Sequence, residues 1–338
     1  MVKIVAVFVS SAFVVACSGT SGGSGGGSDG GGVTVAQACA DVAQARCTLL
    51  QTCSATDLQI RYGSESACVS RETNNCTSSL AEPGNGNTPA ADEACAQAFP
   101  SWACTDYLND QNIPAACQQQ TGSVATGSSC AVDGQCQTGF CAIPPDAACG
   151  TCSAVPVAGA SCAELTSCGP GLTCTSDTTT CVALGAASAA CGKGAPCGAG
   201  LSCVGADATT NTQGTCQAAA TTSGATCDAT LKTGAGCNRN AGLVCNSMTK
   251  TCQTVVLAMP GAMCGDDVGS QAAYCASEGT CTGTSGNTPG TCTASAADGA
   301  ACDTANGPAC LVPARCIGTG DAGTAGTCQY SGAQMCGG

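Results

Sequence analysis

Cysteine is the residue with the most chemistry to offer here, at 35 of 338 positions. A thiol can close a disulfide, ligate a metal as thiolate or act as a redox dithiol. Structural zinc sites use paired Cys-x2-Cys knuckles, often completed by histidine. This chain has a single such pair, Cys149-Gly-Thr-Cys152, and no histidine. A thioredoxin-type dithiol needs a βαβ setting and a helix N-terminus to lower the thiol pKa. Pro144-Pro145 before the pair and Pro156 after it supply neither. Disulfides are therefore the expected use of the sulfur, with no metal and no cofactor. Acid–base chemistry is poorly served, because the commonest general base at neutral pH is absent. Asp266-Asp267 and Asp92-Glu93 are adjacent carboxylates that fit neither an EF-hand nor the two sides of a sugar bond, and they read as solvated turn and helix-start residues. No phosphate-binding Gly-x4-Gly-Lys-Ser/Thr or His-Glu-x2-His motif is present.

The elements that carry these cysteines repeat. Cys162, Cys168, Cys174 and Cys181 enclose Gly-Pro-Gly-Leu-Thr between the second and third. The same order recurs at Cys191/197/203/216, Cys227/237/245/252, Cys264/275/281/292 and Cys302/310/316/328, and Cys130/136/141/152 precedes it. First cysteines are 32, 29, 36, 37 and 38 residues apart, so insertions fall between fixed sulfurs, as expected of separate modules. Turn residues such as Asp133-Gly134, Gly169-Pro170-Gly171 and Asp298-Gly299 crowd the intervals, which predicts short hairpins rather than helices. A unit of this size cannot bury enough surface to fold unaided. A loop of about a dozen residues closed by a disulfide gains roughly 3 kcal/mol in the chain-entropy model, so two crossed bridges replace a core.

Gly171-Leu172-Thr173-Cys174, Gly200-Leu201-Ser202-Cys203 and the closing Gly-Thr-Cys at Cys152, Cys216, Cys292 and Cys328 resemble the dickkopf N-terminal cysteine-rich domain and the related colipase-type module. The likeness covers residues 127 to 336, a six-unit array of the kind found in bacterial cysteine-rich lipoproteins. It implies first-to-third and second-to-fourth pairing. That means Cys162 with Cys174, Cys168 with Cys181, Cys191 with Cys203, Cys197 with Cys216 and Cys227 with Cys245. It also means Cys237 with Cys252, Cys264 with Cys281, Cys275 with Cys292, Cys302 with Cys316 and Cys310 with Cys328. Phe140 before Cys141 and Arg315 before Cys316 depart from the Gly-Leu-x-Cys pattern, so the first and last units are atypical. Cys149 and Cys336 are extra, and pair with each other or locally. Dickkopf signalling is not implied, because function belongs to sites rather than folds.

Residues 1–16 read as an export signal: Lys3 precedes an apolar run to Ala16 that is too short to span a bilayer, which takes roughly 20 residues. Val14, Ala16 and Cys17 resemble a bacterial lipobox, with Val15 a mild departure. The resemblance implies lipidation of Cys17 and, with Ser18 following it, sorting to the outer membrane. Parity agrees: with Cys17 set aside, 34 of the 35 cysteines can pair without remainder. Residues 17–32 form a Gly/Ser-rich tether with a span on the order of 20 Å.

Between residues 33 and 120 the composition turns helical, and eight cysteines (39, 47, 53, 68, 76, 95, 104, 117) allow four bridges. Apolar spacing predicts a helix over Val35 to Cys53. Ser64 caps a second helix to about Asn75, and Thr88-Pro89 opens a third that Pro100 bends or ends. A short last helix spans Pro114 to Cys117. The predicted core is Leu49, Leu50, Leu58, Ile60, Phe99, Trp102 and Leu108. Trp102, Tyr107 and Tyr62 belong to that core or form a contact patch.

Only 3% of residues are aromatic and 9% charged, so a large apolar core is excluded, and a net charge of −13 argues against nucleic acid and anionic lipid as partners. The fold class expected is small disulfide-rich modules in tandem, preceded by a disulfide-stapled α-helical domain. The function expected is a lipid-anchored envelope protein with a non-enzymatic binding, adhesion or structural role, its modules a rod on a flexible tether and its partner a protein or glycan. The rival readings are a hydrolase with carboxylates around Asp106, Asp110 or Glu93 in the helical domain, and a disulfide-rich inhibitor with a rigid loop.

Overall fold

The computed structural model describes residues 32–144, 147–163, 165, 167–268, 271–284, 288–303, 307–318, 325–330, 332 and 336. The export signal, the lipobox with Cys17, nearly all of the tether and the side chains of Asp266 and Asp267 lie outside these. Among the described residues no helix is long and apolar enough to cross a membrane.

The chain begins with a helical head. Helices α1 (Val35–Cys53), α3 (Glu65–Leu80) and α4 (Pro89–Ala98) are capped by Thr34, Ser64 and Thr88, whose side chains accept from Gln37, Ala67 and Ala91. A helix α2 (Ala55–Tyr62) lies between the first two, and α5 (Cys104–Leu108) follows α4. Ser54 makes α2 possible: its N–H closes α1 on Leu50 while its hydroxyl accepts from Asp57 to open the next helix. The chain thus reverses with no glycine or proline to signal it, which is why helix α2 escaped the sequence. Helix α3 also continues past Asn75 to Leu80.

Cys39–Cys76 and Cys47–Cys68 tie α1 antiparallel to α3 as two rungs. Cys53–Cys104 holds α5, and Cys95–Cys117 holds the 3-10 turn Ala115–Cys117. Leu50, Leu58, Tyr62, Cys47 and Cys68 form the core, with Leu49 and Phe99 also buried. Ile60, Trp102 and Leu108 are only half-buried. Trp102 packs edge-on to Tyr107 at 5.2 Å and donates its Nε1–H to the Gln111 carbonyl at 2.8 Å, so these aromatics serve packing rather than an outer patch.

The modules share one plan. In the first, third and sixth, three short strands pair antiparallel in the order first, third, second. The fifth adds one antiparallel and one parallel strand to make five strands, and the second and fourth keep two, with single bridges Ser161 to Thr180 and Thr226 to Thr251 in place of the first. Third and fourth cysteines face each other across every central pair, from Cys141 opposite Cys152 to Cys316 opposite Cys328, yet are not bonded to each other. Instead the third reaches over the central strand to the first, and the fourth bonds the second.

That crossing sets the geometry. Strands flanking a third lie roughly 9.5 Å apart in a flat sheet. The first and third cysteines of the first and third modules, on such strands, have Cα atoms 6.0 and 5.7 Å apart. Each sheet is therefore curled around its sulfur. The curl accounts for the recurring Gly-Thr-Cys: Gly150, Gly214, Gly290 and Gly326 oppose the first cysteine, and a Cβ on them would stand 2.2 to 2.5 Å from a neighbouring strand's carbonyl oxygen. First and fourth cysteines are buried in all six modules. Sulfur and backbone fill the space that leucine fills elsewhere.

The rod expected of the array is not what forms. Within residues 33–338, which make one compact unit, the modules fold back onto the head. Gln135 of the first donates to the Pro83 carbonyl at 2.9 Å, and Asn109 accepts from the Ala199 N–H of the third at 2.6 Å. Ser277 and Glu278 of the fifth donate their N–H groups to Gln59 and Ile60 at the end of α2. Arg71 on α3 grips the sixth through both Asp298 oxygens, at 2.8 and 3.2 Å, and through the Leu311 and Val312 carbonyls. Isolated polar contacts, some from side chains of the head and some from the modules, hold the array against the head.

Candidate functional site

Every cysteine from 39 onward is in one of 17 disulfides. Triplets such as Cys130, Cys136 and Cys152 bring their sulfurs within 4.8 Å of one another because two bridges cross there. A metal needs thiolate ligands, and these sulfurs are bonded already. The Cys-x-x-Cys candidate is divided between two bonds, Cys149 with Cys336 and Cys152 with Cys136. It has no dithiol to cycle.

The carboxylates proposed for an enzyme sit on α4, on α5 and just after α5. Glu93 Oε1 accepts from Gln97 one turn along α4, and Asp106 Oδ1 accepts from Asn112. Asp110 lines a recess of about 470 Å³ that Asp133 also lines, but Asp133 is taken up by the Cys141 N–H at 2.8 Å. Burial pushes the Asp133 carboxyl upward, partly offset by that N–H. In the head, Glu72 is buried between Arg46, at 3.2 Å, and the Tyr62 hydroxyl, at 2.5 Å. Glu72 beside it raises the Arg46 pKa, and burial first, then Glu72, raises that of Tyr62. This group binds α1, α2 and α3 together from within.

A cleft of about 750 Å³ lies where the head meets two modules. Helix α2 contributes Thr56, Asp57 and Ile60. The fourth module contributes Arg239, Asn240, Leu243 and Val255, and the fifth contributes Tyr274 and Pro289. Two close approaches fix its width. Gly242 lies so near Thr56 that a Cβ would stand 2.2 Å from its hydroxyl, and the fifth module is hooked to Gln59 and Ile60. Asp57 is paired with Arg61 at 3.9 Å. Glu278, on the hook, has its pKa raised by burial.

Arg239 makes no side-chain hydrogen bond or ion pair among the described residues, unlike Arg46, Arg61, Arg71 and Arg315, which are engaged with Glu72, Asp57, Asp298 and the Pro144 carbonyl. It stands in a single 3-10 turn, Arg239–Ala241, capped by the Asn238 side chain and ended by Gly242 in the left-handed region. Sequence reasoning did not single out Arg239. The available signal was its rarity, five arginines in an acidic chain. Comparison with family models, with curated proteins and with solved structures gave no match.

Proposed function

We propose that the chain is an exported cell-envelope protein, anchored in the outer membrane by lipid on Cys17, whose folded part binds a protein or glycan partner without catalysis. The observation that carries this reading is the complete set of bridges, Cys149–Cys336 included, which supports an oxidising compartment, and beside it the hydrogen bonds of Ser277 and Glu278 to Gln59 and Ile60 hold the fifth module against α2. Val14, Ala16 and Cys17 support the anchor, and the tether up to residue 32 supplies reach. The first-to-third, second-to-fourth order of the bridges supports a colipase-like module type. A preformed surface recognises its partner at lower ordering cost than a flexible one, which suits display on a tether. The acidic balance argues against nucleic acid here too.

Intact mass after alkylation without reduction tests the scaffold and the anchor together. The expected result is no alkylated thiol and a diacyl or triacyl mass on the fragment beginning at Cys17. Capture of many thiols overturns the compartment, and an unmodified Cys17 overturns the anchor. A pull-down from envelope extracts with the full chain, before and after reduction, tests binding: the partner should be retained only by the oxidised protein.

A further inference from the structure

The cleft between α2 and the fourth and fifth modules has the size of a small-ligand site, and its walls are mixed in a way that names a ligand class. Small-molecule sites occupy roughly 300 to 1,000 Å³, are mostly apolar and carry a few placed polar groups. This one occupies about 750 Å³ and is walled by Ile60, Leu243, Val255 and Pro289, with Arg239 also among its lining residues. The chain carries −13 net charge, and its other four arginines are committed to internal acceptors. An unpaired guanidinium beside an apolar recess is therefore an exception that the fold does not need. The one carboxylate of α2 that lines the cleft, Asp57, is paired with Arg61 and so does not answer Arg239. A guanidinium recognises a carboxylate through two parallel N–H donors, and the neighbouring apolar walls favour a ligand whose remainder is apolar.

We propose that this cleft binds an organic carboxylate carried on a small apolar body, with the carboxylate on Arg239 and the apolar body between Leu243, Val255 and Ile60. The proposal rests on the binding reading above and gives it a ligand chemistry. Two sources share that chemistry, the free C-terminus of a short apolar peptide and a branched alkyl acid.

The test is titration of the full-length oxidised protein with N-acetyl-leucyl-leucine, its C-terminal amide, and 4-methylpentanoate, followed by calorimetry or amide shifts. The acid should bind about tenfold or more tightly than the amide, which is what one charge-assisted pair contributes. Tighter binding of the peptide acid than of 4-methylpentanoate assigns the peptide source, and the reverse assigns the alkyl acid. Arg239 is exposed and its side chain holds no other element, so R239Q should fold, and it should erase the preference for acid over amide. K193Q, on a different module, should leave that preference intact. Equal binding of acid and amide, a preference that survives R239Q, or no binding of any probe at millimolar concentration overturns the proposal. A partner captured equally by wild type and R239Q also overturns it, while leaving the binding reading in place.

Discussion

Cys149 and Cys336 are bonded to each other across 187 positions, so the first module and the end of the chain are covalently one. The bridge closes the array, and Arg315 reinforces the closure by donating to the Pro144 carbonyl at 2.8 Å. In the chain-entropy model a loop of this length is worth up to about 5 kcal/mol, less here because bridges inside the loop shorten it. The double variant C149S/C336S should keep all other bridges and the local module folds. Its scattering radius should grow, and protease should cut between modules where the wild type resists. An unchanged radius would mean that head contacts alone hold the array.

Glu72 is the residue whose loss should cost the head most. It is 5% exposed and serves both Arg46 and Tyr62, so E72A leaves a guanidinium and a phenol facing a gap. Breaking a fully buried pair costs 3–5 kcal/mol, and with the Arg46 side chain 43% exposed the expected loss is about 2 to 3 kcal/mol. Y62F, which removes one hydrogen bond and keeps the ring, should cost about 1 kcal/mol. Denaturant unfolding followed by Trp102 fluorescence separates the two, and E72A no worse than Y62F would sink this account.

The cysteine spacing made the modules legible because fixed sulfurs leave a mark on the sequence that insertions do not erase. The capped helices were legible for a similar reason, since Ser64 and Thr88-Pro89 are local signals. The docking of array on head was not. Arg71 meets Asp298, and Asn109 meets the Ala199 N–H, through single polar residues hundreds or scores of positions apart, with no period to reveal them. The cleft inherits that opacity: Ile60, expected in the core of the head, lines it opposite residues of two separate modules. Phe140 and Arg315 marked the end units as atypical, but only the fold places Arg315 of the last against Pro144 of the first.

Asp133 gives the pH dependence a sign. Burial raises its carboxyl above the ordinary value near 3.8, so the folded state holds the proton more tightly than the unfolded state does. The resulting stability is fully present below the unfolded value and is lost as pH rises through the folded one. At neutral pH the ionised group is therefore a net cost. D133N can still accept from the Cys141 N–H through its amide oxygen, and removes the charge. Its melting temperature should exceed that of the wild type at pH 7, and the gap should close as pH falls below about 3.8. A gap of constant size across that range would show that Asp133 titrates alike in both states.

Gly214 tests why the closing Gly-Thr-Cys recurs. It opposes Cys191 in the third module, where the curl of the sheet places the Val204 carbonyl 2.4 Å and the Ala206 N–H nitrogen 2.6 Å from the position a Cβ would take. Both are backbone atoms, and Val204 is paired with Thr215 in the sheet, so its carbonyl cannot move aside without disturbing the ladder. G214A should therefore cost about 1 to 3 kcal/mol, the range for overpacking. Gly224 is the control: unlike Gly214 it departs from ordinary backbone, with φ of 83°, but nothing lies within 4 Å of its Cβ position. G224A should cost about 1 kcal/mol, the left-handed penalty alone. Hydrogen exchange then locates the damage. The Val204–Thr215 pairing should lose protection in G214A and keep it in G224A, because only the first substitution forces the flanking strand off the central one. Equal protection in the two variants would mean that the close approach at Gly214 does not press on the ladder, and the curl imposed by the Cys191–Cys203 bridge would no longer explain the motif.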